Sequence, residues 1–412
     1  MAMAKKKSSQ DLEVVNIGLF GHVDSGKTTI TEAITGMWTD VHSEEMKRGI
    51  TIRLGYAETT VYKCPKCKEP NCYSASKKCP TCFSDTIPQR ILSFVDAPGH
   101  NALMATVLSG ASLIDGALLV ISANEECPQP QTVEHLTALD IVGIKNIVIV
   151  QNKIDVVTEK QALENYQQIK EFIKGTVAEN APIVPVSAVQ RINIDALLMA
   201  IEKYIHTPER DLNSAPKMYI ARSFDVNKPG TSLDKLIGGV IGGSLVKGKI
   251  KVGDKIEIRP GVRIKDKYKS LFTEVTTIHK FGKKLDEVEP GGLIALGTKL
   301  DPYLTKSDFL AGNIVGYPDK LPPVHTKLLL DVKLLEKVVG EKEYHEVSPI
   351  SSNEVLMLTS GVERTVGLVT SARNNEIELT LKAPICADKG EKVVLFRQIS
   401  GRWRLIGYGI IK

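Results

Sequence analysis

The chain has 412 residues, of which 42% are hydrophobic and 25% charged, and its formal net charge is +5. This length predicts two or three domains, and the composition is typical of a soluble globular protein. No apolar run approaches the roughly 18 residues that cross a bilayer, and the polar start with Lys5, Lys6 and Lys7 lacks the apolar core of a signal peptide. We therefore predict a cytoplasmic protein, whose modest positive charge permits an RNA partner without requiring one.

The pattern of the chain changes near residue 210. We expect a flexible tail at 1–12, followed at 13–210 by strand-like runs that alternate with helix-like segments, which is typical of βαβ units on a parallel sheet. This pattern predicts a doubly wound α/β domain with its ligand loops at the strand ends. Glycine pairs and short β-branched runs at 211–324 predict β-barrel strands, and another β-rich segment follows at 325–412.

The first motif is a phosphate loop, Gly21-His22-Val23-Asp24-Ser25-Gly26-Lys27-Thr28, directly after a strand-like run that ends at Phe20. Its glycines let the backbone wrap a phosphate chain, Lys27 supplies positive charge, and the Thr28 hydroxyl suits magnesium at the start of a helix. The residues that we predict to bind nucleotide here are Asp24, Ser25, Gly26, Lys27, Thr28 and Thr29.

The second motif, Asp96-Ala97-Pro98-Gly99, follows a strand-like run at 91–95. The Asp96 carboxylate is placed to reach magnesium through water, and Gly99 leaves room for its backbone N–H to approach a third phosphate. These two residues are therefore predicted to sense the triphosphate.

The third and fourth motifs each follow another strand-like run. In Asn152-Lys153-Ile154-Asp155, a carboxylate can accept two hydrogen bonds from guanine, a pattern that adenine does not offer. In Ser187-Ala188-Val189, backbone N–H groups can hold the guanine oxygen. The four motifs in chain order predict a GTPase with GTP or GDP and Mg²⁺ as cofactors.

Two cysteine pairs, Cys64-Pro65-Lys66-Cys67 and Cys79-Pro80-Thr81-Cys82, lie within an insertion at 60–90. Their spacing is typical of a four-thiolate structural Zn²⁺ site, and a reducing cytoplasm disfavours the alternative of disulfides. Cys72 breaks the paired spacing and is left out of the predicted site.

The motif at 21–28, Arg48-Gly49-Ile50-Thr51 and Asp96-Ala97-Pro98-Gly99-His100 resemble the translational GTPases related to elongation factor Tu. The cysteine insertion, the segment at 222–230 and Gly401-Arg402-Trp403-Arg404 look more narrowly like the gamma subunits of archaeal translation initiation factor two. The resemblance implies a GTPase domain followed by two β-barrels. It also implies a heterotrimer with alpha and beta subunits, and a GTP form that carries methionylated initiator tRNA to the small ribosomal subunit.

The resemblance also implies further site residues. The Gly49 carbonyl and Thr51 would belong to a first switch that closes over magnesium in the triphosphate state, with Asp24 and Thr28 completing the metal shell. His100 would orient the attacking water. The family usually has histidine where this chain has Ser25; phosphate binding is expected to survive, because the loop uses backbone N–H groups.

Two alternatives stay open at the level of sequence. One is an elongation-type carrier of another aminoacyl-tRNA, including the selenocysteine-specific kind, which typically adds a C-terminal domain that we do not expect after Lys412. The other is a regulatory GTPase subunit of a metabolic enzyme.

Residues 247–284 contain twelve Lys or Arg and four Asp or Glu, which fits either RNA contact or solvated barrel loops.

Overall fold

The computed structural model describes residues 12–39, 55–96, 108, 113–228, 230–265, 267–340 and 345–412. The principal division into two compact units lies between Pro208 and Glu209. Each unit has its own hydrophobic core, and among the described residues the second contains two large core clusters and a small one formed by Ile314, Leu321 and Cys386.

A seven-stranded sheet forms the centre of the first unit, in the order β3-β2-β4-β1-β5-β6-β7. The strands β4, β1, β5, β6 and β7 run parallel, whereas β2 pairs antiparallel with both β4 and β3. The expected parallel sheet is thus present, with an antiparallel extension at one edge. The strands are β1 (Val14–Gly21), β2 (Gly55–Lys63), β3 (Tyr73–Ser74), β4 (Ile87–Asp96), β5 (Gly116–Ser122), β6 (Ile147–Asn152) and β7 (Ile183–Pro185).

Four helices of the described residues connect these strands: α1 (Lys27–Thr35), α2 (Pro130–Val142), α3 (Glu159–Ile173) and α4 (Ile194–Tyr204). Local chemistry sets their ends. Gly36 and Gly143 end α1 and α2 in the left-handed conformation, and Thr158 forms a capping box with Gln161 at the start of α3. One of the helix-like segments of the sequence, at 102–112, falls almost wholly outside the described residues.

The central strand β1 is buried along its whole length, which explains its largely apolar sequence. The amide of Asn16, its one polar side chain, donates to the Leu113 carbonyl oxygen at 2.8 Å. Its neighbours β4 and β5 pair with it in parallel, so the carboxyl ends of these strands lie at one edge of the sheet. Gly21 and Asp96 are the last residues of β1 and β4. The predicted phosphate and magnesium motifs are therefore brought to the same edge.

In the second unit, a first barrel closes through the ring β11-β16-β8-β9-β15-β12, because β11 also pairs with β12. Strand β13 extends β12, and β10 pairs with β14. The strands are β8 (Lys217–Phe224), β9 (Val240–Lys247), β10 (Ile250–Lys251), β11 (Lys255–Ile264), β12 (Lys267–Lys280), β13 (Lys283–Leu285), β14 (Glu287–Val288), β15 (Ile294–Thr298) and β16 (Ile314–Gly316).

A second closed barrel follows, in the order β17-β20-β19-β18-β21-β22. Its strands alternate buried and exposed residues, as in β20, where Ile377, Leu379 and Leu381 fill the interior. The strands are β17 (Val324–Leu334), β18 (Val355–Ser360), β19 (Glu363–Arg373), β20 (Glu376–Cys386), β21 (Lys392–Ile399) and β22 (Arg402–Ile411). The predicted fold class, an α/β domain followed by two β-barrels, is confirmed.

None of the helices within the described ranges combines the length and the apolar character that a membrane span requires.

Candidate functional site

The phosphate loop joins β1 to α1 and depends on its glycines. Gly26 has φ 92°, and a Cβ atom at this position would lie 2.2 Å from Asn152 Nδ2. Asp24 also has a positive φ, of 59°. At position 26 a side chain would be strained by the positive φ and would collide with Asn152, so glycine is required there. The loop can therefore stay tight and present its N–H groups to a phosphate.

Lys27 folds back over this loop from the first turn of α1. Its Nζ donates to the carbonyl oxygens of Gly21 at 3.1 Å and of His22 at 2.7 Å, and the residue is 6% exposed. The ammonium group is thus held in the concavity of the loop, where it can meet outer phosphates. Thr28 and Thr29 follow on the same turn and are half-buried.

Asp96 is fully buried and receives two hydroxyl donors. Thr28 Oγ1 donates to Asp96 Oδ2 at 2.7 Å, and Thr39 Oγ1 donates to the same oxygen at 2.8 Å. The end of β4 is therefore tied to the first turn of α1, and the Thr28 hydroxyl and the Asp96 carboxylate are close enough together that they could hold a magnesium ion. The motif analysis missed Thr39, because its contact with Asp96 spans 57 residues and no local pattern marks it.

Asn152 connects three of the predicted motifs. Its Nδ2 donates to the Ser25 carbonyl oxygen at 2.9 Å, and its Oδ1 accepts from the Ala188 N–H at 3.1 Å. Asn152 is 2% exposed. Its amide thus fixes the phosphate loop and the Ser187-Ala188 loop relative to each other, rather than pointing to solvent.

The residues expected around guanine differ in exposure. Asp155 lies exposed in a short 3₁₀ helix that Lys153, with φ 65°, begins. Ser187 is buried, and its Oγ accepts from the Gln190 N–H at 3.1 Å. Val189 is 72% exposed. The Asp155 carboxylate is accessible to a base, while the Ser187 turn supports the loop that carries Ala188.

Four predicted site residues lie outside the described residues: Gly49, Thr51, Gly99 and His100. The first switch and the water-orienting histidine therefore stay predictions.

His135, on α2, is a site residue that the motif analysis did not find. Its Nδ1 accepts a hydrogen bond of 2.8 Å from the Gly21 N–H, and its ring meets Phe20 edge to face at 5.9 Å between centroids. Burial, followed by the positive charge of Lys27, lowers the pKa of His135 to about 3. His135 is therefore neutral at physiological pH and supports the first residue of the phosphate loop.

Ser25 is fully buried, and within the described ranges its Oγ has no hydrogen-bond partner. The backbone carbonyl of Ser25, by contrast, accepts from Asn152. The hydrogen bond of this residue within the site is thus made by its backbone, and phosphate binding with serine at this position stays a prediction.

The four cysteines of the two pairs converge. Their sulfur atoms lie within 4.8 Å of one another, with 3.5 Å between those of Cys64 and Cys82 and 3.6 Å between those of Cys67 and Cys79. A tetrahedral Zn²⁺ with sulfur at about 2.3 Å separates its ligands by about 3.8 Å, so the donor set and its size fit this ion. A hydrogen bond with Ser84 lowers the pKa of Cys82 to about 6, which favours the thiolate.

Cys72 lies beside this cluster without joining it. It is 1% exposed, packs in the hydrophobic core, and its carbonyl oxygen accepts from the Cys64 N–H at 2.7 Å. All seven cysteines are free thiols in the structure. The arrangement is that of four converging thiols with a fifth in a packing role.

Fold and site together define a P-loop GTPase domain followed by two barrels. Residues 12–207 match the Elongation factor Tu GTP binding domain, 238–316 match Elongation factor Tu domain 2, and 326–411 match Initiation factor eIF2 gamma, C terminal. The chain is 58% identical to translation initiation factor 2 subunit gamma of Pyrococcus furiosus over 100% of both chains. It is 59% identical to that of Archaeoglobus fulgidus over 98% of this chain and 96% of the relative. The chain therefore belongs to the family of translation initiation factor 2 gamma subunits, which are translational GTPases.

Solved structures share the fold at lower identity. A bacterial selenocysteine-specific elongation factor matches with a TM-score of 0.74 and 24% identity, over 97% of this chain and 58% of the other. Elongation factor SelB of Methanococcus maripaludis, solved with a GTP analogue, matches with a TM-score of 0.72 and 23% identity, over 97% and 79%. At this identity the likeness concerns the fold alone.

Proposed function

We propose that this chain is the GTP-switched core subunit of a heterotrimeric initiation factor, and that its GTP form carries methionylated initiator tRNA to the small ribosomal subunit. The observation that carries the proposal is the similarity over the whole chain to translation initiation factor 2 subunit gamma, at 58% identity. In this function the alpha and beta subunits bind this chain, and GTP hydrolysis times the release of tRNA.

The phosphate loop and the end of β4 would hold GTP and Mg²⁺. Lys27 lies in the concavity of the loop and would neutralise the outer phosphates, while Thr28 and Asp24 would bind the metal with Asp96 behind water. When bound, Mg²⁺ supplies positive charge to the β- and γ-phosphate oxygens. Asp96 Oδ2 accepts hydrogen bonds from the hydroxyls of both Thr28 and Thr39. Loss or gain of a metal contact at Thr28 would therefore change the hydrogen bond between Thr39 and Asp96.

The triphosphate would be recognised by residues that follow β4 and by the first switch. Gly49 and Thr51 would close over the metal, the Gly99 N–H would approach the third phosphate, and His100 would orient the attacking water. Orientation is sufficient for this histidine, which need not remove a proton itself. Hydrolysis would then be slow until a partner or the ribosome orders these segments.

Guanine would be read by Asp155 and the Ala188 loop. The exposed Asp155 carboxylate can accept two hydrogen bonds from the base. Asn152 holds the backbone of Ser25 and Ala188, and Lys153 begins the short helix that carries Asp155. Because Asn152 also holds Ser25, the base and phosphate regions would be positioned as one unit.

Zn²⁺ would be bound by Cys64, Cys67, Cys79 and Cys82 as a structural ion. Four thiolates fill its coordination shell, so this site offers no open position for catalysis. Its role would be to order the inserted segment on the GTPase domain.

We place the GTPase domain at 13–210, the barrels at 211–324 and 325–412, and the protein in the cytoplasm.

Ligand choice in a tRNA-binding assay tests this proposal against its alternatives. The assay compares methionylated initiator tRNA with an elongator aminoacyl-tRNA, in the presence of a non-hydrolysable GTP analogue and with the alpha subunit present or absent, at fixed salt. Selective binding of the initiator species supports the proposal. Equal binding of both would favour an elongation-type carrier, and no tRNA binding with alpha present would favour a GTPase subunit of a metabolic enzyme.

A further inference from the structure

The loop at residues 187–192, here called the guanine loop, leads directly into helix α4. Ser187 and Ile192 close it with an isolated β-bridge, whose two hydrogen bonds measure 3.3 and 3.0 Å. Asn193 follows as the first cap residue of α4 with φ 61°, and its side chain donates to the Pro185 carbonyl oxygen at 2.9 Å. A shift of α4 would therefore move the loop that we expect to hold guanine.

The cysteine insertion packs against this same helix. Strand β3, which lies between the two cysteine pairs, contacts α4. One hydrophobic core cluster contains residues of both: Cys64, Cys72, Tyr73 and Cys79 from the insertion, and Leu197, Ala200 and Ile201 from the helix. The cluster also includes Ala188 of the guanine loop. Insertion, helix and loop thus share one close-packed core, in which displacement of one part disturbs the packing of the others.

Polar contacts join the insertion and the helix at the surface. Lys203, near the end of α4, donates to Glu69 Oε2 at 2.6 Å, and the other carboxylate oxygen of Glu69 accepts from the Tyr73 hydroxyl at 3.3 Å. The side chains of Lys203 and Glu69 keep 47% and 39% of their area exposed. Because exposed ion pairs are weak, the buried packing contributes most of the attachment.

A buried arginine fixes the far end of α4 to the sheet. Arg90, on β4, is 7% exposed, and its Nε donates to Glu202 at 2.7 Å. Its other two nitrogens donate to the carbonyl oxygens of Ile201 and Ile205 at 2.8 and 2.7 Å. With this end held, a helix of 11 residues and about 16 Å can move chiefly at its other end, where the guanine loop meets it.

We propose that zinc binding at the four cysteines strengthens the binding of guanine nucleotides, because the metal-ordered insertion holds α4 and thereby the guanine loop in place. A small metal-bound segment loses its order with its metal, and a loop that must be ordered on binding reduces the affinity for its ligand. The inference rests on the proposed reading of guanine by Asp155 and the Ala188 loop. It adds regulation of that site by the metal content of the chain.

Two quantitative consequences follow from this coupling. The guanine loop would meet the base and not the phosphates, so zinc should change the affinities for GDP and for a GTP analogue by the same factor. Coupling between two sites typically amounts to roughly 5- to 150-fold, and the indirect support through α4 places the expected factor at about 5–10. Because such coupling is reciprocal, GDP must raise the affinity of the chain for zinc by the same factor.

The direct test compares the full chain loaded with zinc and stripped by a chelator that is selective for zinc over magnesium. Titration with a fluorescent GDP should give a dissociation constant about 5–10-fold higher for the stripped chain, restored when zinc is added back. Competition with a chromophoric zinc chelator, with and without saturating GDP, should give the same factor for zinc. Equal zinc affinity in the two conditions would overturn the proposal.

Tyr73→Ala tests the route through α4 without removing a sulfur ligand. Tyr73 is 6% exposed and belongs to the shared core. The variant should still bind one equivalent of zinc, while the factor by which GDP changes the zinc affinity falls towards one. The matched control is Phe83→Ala, because Phe83 is 76% exposed in the same insertion. This control should keep the wild-type factor, and wild-type coupling in Tyr73→Ala would contradict the route.

Hydrogen exchange locates the effect in the molecule. Removal of zinc from the nucleotide-free chain should speed the exchange of amides in the guanine loop and the first turn of α4. The amides of α3 serve as the internal control, because among the described residues Ile169 and Ile173 of that helix are buried outside the shared core. Unchanged exchange in the guanine loop would refute the inference. Failure of the proposed function would look different, as a zinc-loaded chain that binds no guanine nucleotide.

Discussion

The backbone N–H of Gly21 donates a 2.8 Å hydrogen bond to Nδ1 of His135, which lies 114 residues further along the chain. This bond joins the last residue of β1 to the middle of α2, and the imidazole must be neutral at Nδ1 to accept it. The phosphate loop is therefore supported from a helix that carries none of the nucleotide motifs.

Substitution of this histidine should weaken the loop. His135→Leu leaves the buried Gly21 N–H without an acceptor, and such a loss costs about 1–3 kcal/mol of unfolding free energy. We expect lower thermal stability and weaker binding of both GTP and GDP. His206→Leu, at an exposed position of the same unit, is the matched control. Wild-type stability of His135→Leu would contradict the structural role of the bond.

The same residue predicts a pH dependence of stability. The pKa of His135 is about 3 in the folded chain against a usual value of 6.5, so between these values the unfolded state binds the extra proton. Its contribution is fully present above pH 6.5 and falls as the pH drops towards 3, by at most about 1.4 kcal/mol per pH unit. Chemical denaturation at several pH values measures this slope. It should be shallower in His135→Leu, and an identical slope in both proteins would refute the assignment.

The geometry of the phosphate loop was largely predictable from the sequence, whereas its supports were not. Glycines, Lys27 and Asp96 act through local backbone geometry and short motifs, so their spacing carries the information. Thr39 and His135 contribute through contacts that form only when β4 and α2 reach the end of β1. Barrel closure and the antiparallel placement of β2 likewise depend on pairings between distant segments, which periodicity does not encode.

Base selectivity should depend on Asp155. Asp155→Asn replaces an acceptor by an amide, which no longer matches the N1–H and amino group of guanine but can donate to the C2 oxygen of xanthine. Competition binding should then find weaker GTP binding and improved binding of xanthosine triphosphate. Glu171→Gln, an exposed change on the following helix that removes the same negative charge, is the matched control. Unchanged GTP affinity in Asp155→Asn would remove this residue from base recognition.

The cysteine cluster predicts one equivalent of zinc. Cys67→Ser removes one of four thiolates and should abolish stoichiometric zinc and lower the melting temperature of the first unit. Cys72→Ser should retain the metal, because Cys72 lies outside the four converging sulfur atoms. Metal analysis by mass spectrometry after gentle purification gives the result. Less than about half an equivalent in the wild type would count against a permanently filled site.

His100 is predicted to act in hydrolysis and not in binding. His100→Ala should lower the single-turnover rate of GTP hydrolysis by about 100-fold or more, which is a typical contribution of a residue that positions or activates water, while GTP affinity changes little. Equilibrium binding of a GTP analogue provides the comparison. A large loss of nucleotide affinity would instead assign His100 to the binding site.

The most direct test of the account is the ratio of the dissociation constants of methionylated initiator tRNA measured with GDP and with a non-hydrolysable GTP analogue, at fixed salt and with the alpha subunit present. The account predicts much tighter binding in the triphosphate state, and loss of this difference in Lys27→Ala, whose ammonium lies in the phosphate loop. Equal affinity in the two nucleotide states of the wild-type chain would contradict a GTP-switched carrier.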